Sequence, residues 1–163
     1  MAVRNCAELG ENLQKIVSRL MANDNLVKYL YYTDKDPLSH PNLTEEEKRN
    51  FILHKLIKVV PKVGPKETAN SIVTIRVANG TTNNSNKEFK NILLSFEIFT
   101  PLTQWLIKSD NLRPFLILGE IEKSLKGKTV NGLGKLEGGD FDLNFLTEEI
   151  SCYEQTFTII SYD

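Results

Sequence analysis

The sequence predicts an α+β fold, in which helices pack on one face of a mostly antiparallel sheet. Apolar residues recur at helical spacing over residues 7–21 and again in a segment that follows Asp110. Residues 72–77 and 92–99 alternate apolar and polar side chains, and shorter alternating pieces fill residues 130–162. Helices grouped apart from paired strands in this way favour a sheet that is covered by helices.

The length of the chain predicts a single domain over residues 1–163. Its 163 residues fall within the about 100 to 200 that are common for one domain. We expect N-terminal helices over residues 7–57 and a sheet and helix region over residues 70–163. Hydrophobic residues make up 40% of the chain and charged residues 25%, a composition that excludes intrinsic disorder of the whole chain.

The apolar runs are too short for a membrane protein. The longest, residues 92–94 and 115–118, fall far below the about 20 residues that a spanning helix needs. The N-terminus leads directly into a charged amphipathic segment and lacks the apolar centre of a signal peptide. We therefore expect no membrane partner, and we expect the protein to stay in the compartment where it is made.

The first helices are predicted from one apolar face and from capping residues. The apolar face of residues 7–21 predicts an amphipathic helix, and Asp24 or Asn25 can begin a second, short one. Thr44 and Glu47 form a capping-box pattern, which predicts a helix over residues 45–57. The residues of the first apolar face are Leu9, Leu13, Ile16, Val17 and Leu20.

Between the two alternating strands lies the polar segment Gly80–Lys87. It is longer than the about two to five residues of an ordinary hairpin turn and carries nothing that packs in a core. We expect two antiparallel strands with a protruding tip that docks on a partner. The candidate contact residues of this tip are Asn83, Asn84, Asn86 and Lys87.

The last helix is predicted to begin at Asp110, whose carboxylate can cap it, and to end before Gly127. Short alternating pieces after Val130 are expected to complete the sheet. The predicted buried face of the helix is formed by Ile117, Leu118, Ile121 and Leu125.

Charge is almost balanced in total and strongly separated along the chain. The formal net charge is −1, which offers no general attraction for nucleic acid or anionic lipid. Residues 48–66 contain six basic residues and no acid, whereas residues 136–163 contain seven acids and no Lys or Arg. We interpret the first segment as a contact surface, with Lys55, Lys58, Lys62 and Lys66 as its candidate residues.

The acidic segment supports two competing hypotheses. Glu137, Asp140 and Asp142 follow or lie among glycines, where we expect a turn whose side chains stay out of the core. They can meet the basic segment of a neighbouring copy. They can instead line a channel through which DNA passes, because carboxylates repel phosphates.

The sequence predicts no catalytic, cofactor or metal site. No nucleophile motif surrounds His40 or His54. The glycines of residues 132–139 have neither the Walker spacing nor the GxGxxG spacing of phosphate-binding loops, so we expect them to form turns between strands. Residues 140–144 alternate acids as a calcium loop does, but Phe145 stands where such a loop requires glycine. An edge strand fits that alternation better. Cys6 and Cys152 are interpreted as free thiols.

The second half of the chain, residues 91–163, resembles the tail-terminator proteins of long-tailed bacteriophages. The shared pattern begins with the strand at 92–99, Trp105 and a helix that Arg113 leads. It continues with Leu125-Lys126-Gly127-Lys128, the turn Val130-Asn131-Gly132-Leu133-Gly134 and a last long strand at 153–162. Residues 29–65 have no counterpart in that pattern.

The resemblance implies a structural virion protein and not an enzyme. Such a protein forms a ring, a hexamer, at the head-proximal end of the tail, where it stops polymerisation of the tail tube. Its partners are further copies of itself, the tail tube protein and the head connector or head-completion protein, with DNA only passing through the lumen. It assembles in the host cytoplasm and ends in the tail or neck of the virion.

Two alternatives remain open from the sequence. One is another neck or head-completion protein of a phage particle. The other is a cytoplasmic enzyme or ligand-binding domain unrelated to phages, which would require a polar cluster in a pocket at the sheet.

Overall fold

The computed structural model describes residues 6–59, 69–85 and 87–160. It confirms the α+β fold with a mostly antiparallel sheet. Short 3-10 turns at Cys6–Glu8, Pro37–Ser39 and Leu102–Gln104 join the longer elements. The helices are α1, Leu9–Met21; α2, Asp24–Tyr31; α3, Glu45–Glu47; and α4, Arg113–Leu125.

Six strands form one sheet in the order β1-β2-β3-β6-β5-β4. Neighbouring strands run antiparallel except for β1 and β2, which are parallel. The strands are β1, Ile57–Val59; β2, Ile72–Thr82; β3, Lys90–Pro101; β4, Thr129–Val130; β5, Gly134–Leu146; and β6, Ile150–Ile160.

The main hydrophobic core lies between the helices and one face of this sheet. The predicted apolar face of α1 is buried at four of its five positions, from Leu13 to Leu20, and packs with the buried side chains of α4. Strand β3 contributes Leu94 and Phe96 to the same core, and Phe157 of β6 meets Phe96 edge to face with ring centroids 5.5 Å apart. The opposite face of the sheet carries no helix among the described residues, and we call it the helix-free face.

Strands β2 and β3 were predicted as an antiparallel pair, and the structure confirms that pairing. Val73 lies opposite Ile98, and Ile75 lies opposite Phe96. Both strands are longer than expected, because β2 continues to Thr82 and β3 begins at Lys90. Residues 80–82 therefore belong to a strand, and the turn itself is shorter than predicted.

The helix predicted over residues 45–57 is wrong in its second half. The capping box of Thr44 and Glu47 is present, but α3 continues only as a π-helical turn at Lys48–Ile52. Ile57–Val59 then forms β1 beside β2. The β-branched side chains of this segment fit a half-buried sheet better than another helical turn.

The predicted cap of α4 is also wrong. Asp110 lies in the preceding turn in the left-handed region, at φ 55°. Leu112 occupies the N-cap position, and its side chain makes no capping hydrogen bond. Pro114 sits in the first turn of α4, where its missing N–H leaves no hydrogen bond unmade. The end of α4 is as predicted, because Gly127 takes up a positive φ of 70°.

The glycine-rich run makes fewer turns than predicted. Gly132 lies in the turn before β5, but Gly134, Gly138 and Gly139 lie inside the strand. A Cβ atom on Gly132 would lie 2.2 Å from Oδ1 of Asn12. The side chain of Asn12 donates a hydrogen bond to the Gly132 carbonyl at 3.0 Å, so the glycine permits the close approach of α1 to this turn.

Candidate interaction surfaces at the two edges of the sheet

The structure places the oppositely charged segments at opposite edges of the sheet. Lys58 lies on β1 at one edge, and Lys55 lies in the turn just before it. Asp140 and Asp142 lie on β5, which pairs with β6 near the other edge. Lys62 and Lys66 lie outside the described residues.

A single row of paired residues connects the two edges. Its end residues, Lys58 and Asp142, are separated by four strand-to-strand steps of about 4.8 Å each, or about 19 Å. They cannot form an ion pair within one copy of the chain. The row reads Lys58, Thr74, Glu97, Glu154 and Asp142.

The predicted location of the acidic residues in a turn is wrong, because all three lie in strand β5. In register they lie opposite Thr158, Thr156 and Glu154 of β6, on the helix-free face. Glu137 is half-buried and forms an ion pair with Lys135. Asp140 and Asp142 are exposed, and among the described residues neither forms an ion pair.

The middle of the helix-free face contains a buried charge network. Glu97 is only 4% exposed and accepts hydrogen bonds from Thr74 Oγ1 at 3.3 Å and Asn144 Nδ2 at 3.1 Å. Arg76 Nη2 lies 2.9 Å from a carboxylate oxygen of Glu154 and 3.7 Å from one of Glu97. Arg76 therefore forms ion pairs with both carboxylates, and the charged groups in this part of the face are paired within one copy of the chain.

The same network explains two pKa shifts. The Ser95 hydroxyl, and then the Arg76 guanidinium, hold the pKa of Glu154 below its usual value. Cys152 is buried beside these acids, and burial raises the pKa of its thiol to about 12. Both cysteines are free thiols, as predicted, with Cys6 exposed. The high pKa leaves Cys152 protonated and unreactive at neutral pH.

The outer half of β5 exposes apolar side chains on the face that the helices cover. Phe141 is 52% exposed and Leu143 51%, and Phe115 of α4 is 38% exposed. The ring centroids of Phe115 and Phe141 are 6.1 Å apart, and Leu143 lies opposite Tyr153 in register. We call Phe115, Phe141 and Leu143 the apolar ridge.

Sequence reasoning missed the apolar ridge. The alternation of Phe141, Leu143 and Phe145 correctly predicted an edge strand, but it does not indicate that Phe141 and Leu143 stay exposed. The sequence feature that could have revealed the ridge is the alternation of Phe141 and Leu143 with the acids Asp140 and Asp142. A strand near the edge that is acidic on one face and apolar on the other leaves side chains of both kinds exposed.

The basic edge also exposes an aromatic side chain. Phe51 is 44% exposed and its ring centroid lies 5.6 Å from that of Tyr31 in α2. The ammonium of Lys55 lies 6.0 Å from the centre of the Phe51 ring and donates to the Asn50 carbonyl at 2.6 Å. Phe51 was not among the predicted contact residues.

The predicted docking tip is the turn between β2 and β3. Asn83 closes it through a backbone hydrogen bond from its N–H to the Phe89 carbonyl at 2.9 Å. The Asn83 side chain accepts a hydrogen bond from the Ser85 N–H at 2.8 Å. Asn84 and Lys87 are exposed within the turn, and Asn86 lies outside the described residues.

The histidines and the calcium-like run lie in ordinary structural settings. His40 stacks on Tyr32 with ring centroids 4.1 Å apart, and its Nε2 lies 2.7 Å from Asp34 Oδ2. His54 is exposed in the turn before β1. Residues 140–144 are an edge strand, as predicted, and within the described residues no cluster of three potential metal ligands forms. None of the described helices is long and apolar enough to cross a bilayer.

The chain matches the model of a known protein family. The model of a family described as YomW matches residues 23–159, which include every strand except the last residue of β6. Both charged edges, the apolar ridge and the hairpin tip therefore lie within the matched region. No curated protein matches the chain.

Proposed function

The chain belongs to the YomW family, whose name derives from a gene of an SPβ-like prophage and indicates a phage-associated protein. From this premise we propose that it is a structural protein of the virion, a tail terminator. It forms a ring at the head-proximal end of the tail, stops polymerisation of the tail tube and joins the head connector. It assembles in the host cytoplasm and has no enzymatic role.

The observation that carries this proposal is the separation of charge across the sheet. The basic and acidic edges lie about 19 Å apart, farther than the about 8 to 10 Å over which salt screens exposed charges. They can neutralise one another only between copies. Contacts that join two different patches build closed rings or open filaments, and a closed ring is the geometry that a tail terminator needs.

In this proposal Asp140 and Asp142 are subunit contacts, and Lys55 and Lys58 face them from the neighbouring copy. The helix-free position of the acids also suits the competing hypothesis of a DNA-repelling lumen. Both roles belong to the same ring and are separated by experiment. The hairpin tip, residues 83–89, supplies the contact to the tail tube or the head connector.

The decisive test is deletion of the gene from the phage that carries it, followed by electron microscopy of the lysate. We expect tails of uncontrolled length that are not joined to heads, because polymerisation is no longer stopped. Restoring the gene in trans should restore tails of uniform length. Tails of normal length with unjoined heads would instead assign the protein to head completion, and normal particles would exclude both roles.

A charge-reversal variant separates the two roles of the acids. We expect the combined variant Glu137→Lys, Asp140→Lys, Asp142→Lys to fail in ring assembly when it replaces the wild-type chain. Glu148→Lys with Glu149→Lys, in the exposed turn before β6, is the matched control and should assemble normally. Normal assembly of the triple variant with slowed DNA ejection would assign the acids to the lumen, and no effect on either process would remove both roles.

A further inference from the structure

We propose that the apolar ridge of Phe115, Phe141 and Leu143 is the hydrophobic centre of the contact between copies, and that Phe51 of the next copy packs against it. This inference rests on the proposed head-to-tail assembly and names the surfaces that it uses. The charged residues then surround an apolar contact, as in interfaces that have an apolar core and a polar rim.

The first support is an open sheet edge. Strand β4 pairs with β5 only at Gly134 and Lys135. The backbone of Leu136 is still hydrogen-bonded to Gly127 and Lys128. Over residues 137–146, β5 pairs with β6 on one side, and no strand of the described chain flanks it on the other. This stretch contains neither Lys nor Pro, which commonly protect an edge from association. Two β-bulges, between Gly138 and Asp140 and between Leu143 and Phe145, interrupt the edge, and the regular run between them carries Phe141 and Asp142.

The second support is the size and character of what this edge exposes. Phe141 and Leu143 each leave about half of their surface in solvent, and Phe115 and Tyr153 extend the same aromatic surface with ring centroids 5.2 Å apart. Isolated exposed apolar residues are normal on protein surfaces, but contiguous ones beside an open edge mark a binding site. Aromatic residues are enriched at the centres of such sites.

The third support identifies the occupant as a second copy. At the basic edge, Phe51 lies on the helix-covered side and Lys58 on the helix-free face, in the row that contains Glu97. At the acidic edge, Phe141 lies on the helix-covered side and Asp142 on the helix-free face. If the basic edge of one copy adjoins the acidic edge of the next in one continuous sheet layer, Phe51 meets Phe141 on the helix-covered side. Lys58 then meets Asp142 on the helix-free face.

Disulfide trapping tests this arrangement directly. In a Cys6→Ser background, the purified chain with Lys58→Cys and Asp142→Cys should give a ladder of covalent oligomers under mild oxidation, because each copy then carries both halves of the contact and keeps the aromatic side chains at its centre. Each single variant is the matched control and should stay monomeric on a non-reducing gel. Absence of the ladder, or dimers from either single variant, would overturn the head-to-tail contact.

A second measurement weakens the contact without any cross-link. Phe141→Asp with Leu143→Asp should raise the dissociation constant of self-association about tenfold or more, as loss of an interface centre does. Leu38→Asp is the control, because Leu38 is similarly exposed, at 42%, and belongs to the 3-10 turn Pro37–Ser39 and not to the sheet. Equal self-association of both variants in sedimentation velocity would remove the ridge from the interface.

These outcomes are distinct from failure of the proposed function. A chain that forms the disulfide ladder, in a phage whose tails are normal without the gene, keeps the contact and loses the tail-terminator role. Overlong tails after gene deletion, together with no ladder and no effect of the ridge variant, keep the role and exclude this contact.

Discussion

Arg113 is completely buried, and among the described residues its guanidinium donates only to backbone carbonyls. Its guanidinium donates to the carbonyl oxygens of Gln104 at 2.9 Å, Tyr29 at 2.7 Å and Tyr32 at 2.8 Å, and also to that of Asp34. Burial lowers the pKa of Arg113, although Asp34 opposes that shift. One side chain thus fixes the start of α4 to the segment that follows α2.

We predict that Arg113→Lys lowers the free energy of unfolding by about 3 kcal/mol, because a single ammonium cannot replace a planar fork of donors and leaves buried carbonyls unpaired. Urea denaturation followed by circular dichroism measures the loss. Arg49→Lys, at an exposed position, is the matched control and should stay within about 0.5 kcal/mol of wild type. Equal midpoints for both variants would contradict a structural role for Arg113.

The role of Arg113 could not be predicted from the sequence. Its partners are main-chain oxygens, which every residue possesses, so no partner type appears in the sequence. The apolar ridge was hidden for a related reason, because Phe141 and Leu143 have the same pattern whether a helix covers them or leaves them exposed. The buried faces of α1 and α4 were predictable, since their spacing alone determines which side chains share a face.

At the level of elements, the sequence predicted the strands and helices better than their ends. The Thr44 capping box was recognised because its pattern is local. The end of this helix could not be predicted, because Ile57 and Val59 pair with β2, which begins only at Ile72. Tertiary pairing of this kind overrides local propensity.

The hairpin of β2 and β3 gives the prediction that belongs to this scale. Replacing residues 83–89 by Asn-Gly should leave the fold intact, because Thr82 and Lys90 are already paired and a two-residue turn suits such a pair. Docking of the ring on the tail tube or the head connector should be lost. Thermal unfolding of the purified variant and complementation of the gene deletion measure the two effects.

The control for the hairpin is Asn25→Ser, which changes one exposed side chain in the first turn of α2 and leaves residues 83–89 as they are. It should fold and complement normally. A shortened hairpin that does not fold would show that the tip is structural, and a shortened hairpin that complements fully would show that it is dispensable.

At the level of the whole molecule, the sequence revealed the two charged segments but not their distance. The separation of Lys58 from Asp142 follows from the strand order, which places β1 at one edge and β5 near the other. Strand order depends on long-range pairing, such as β3 with β6, and no local pattern contains it. Only that topology sets the two charged segments at opposite edges of the sheet.

The last prediction uses charge exchange between Lys58 and Asp142. Lys58→Glu alone and Asp142→Lys alone should each weaken self-association, and more strongly at low salt, because exposed charges are screened as ionic strength rises. The double variant in one chain should assemble again, since every contact is then reversed on both sides. Light scattering at low and high salt measures self-association in each case. A loss of self-association that is the same at both salt concentrations would exclude a charged contact.

Mixing the two single variants in equal amounts also tests whether the number of subunits is even. Glu at position 58 of one variant then meets Lys at position 142 of the other, while Asp142 of the first meets Lys58 of the second, so an alternating ring has only matched contacts. A hexamer can alternate completely, and the mixture should assemble as well as the double variant. An odd ring must retain at least one mismatched contact. A mixture that assembles clearly less well than the double variant in native mass spectrometry would therefore contradict the hexamer while preserving the head-to-tail contact.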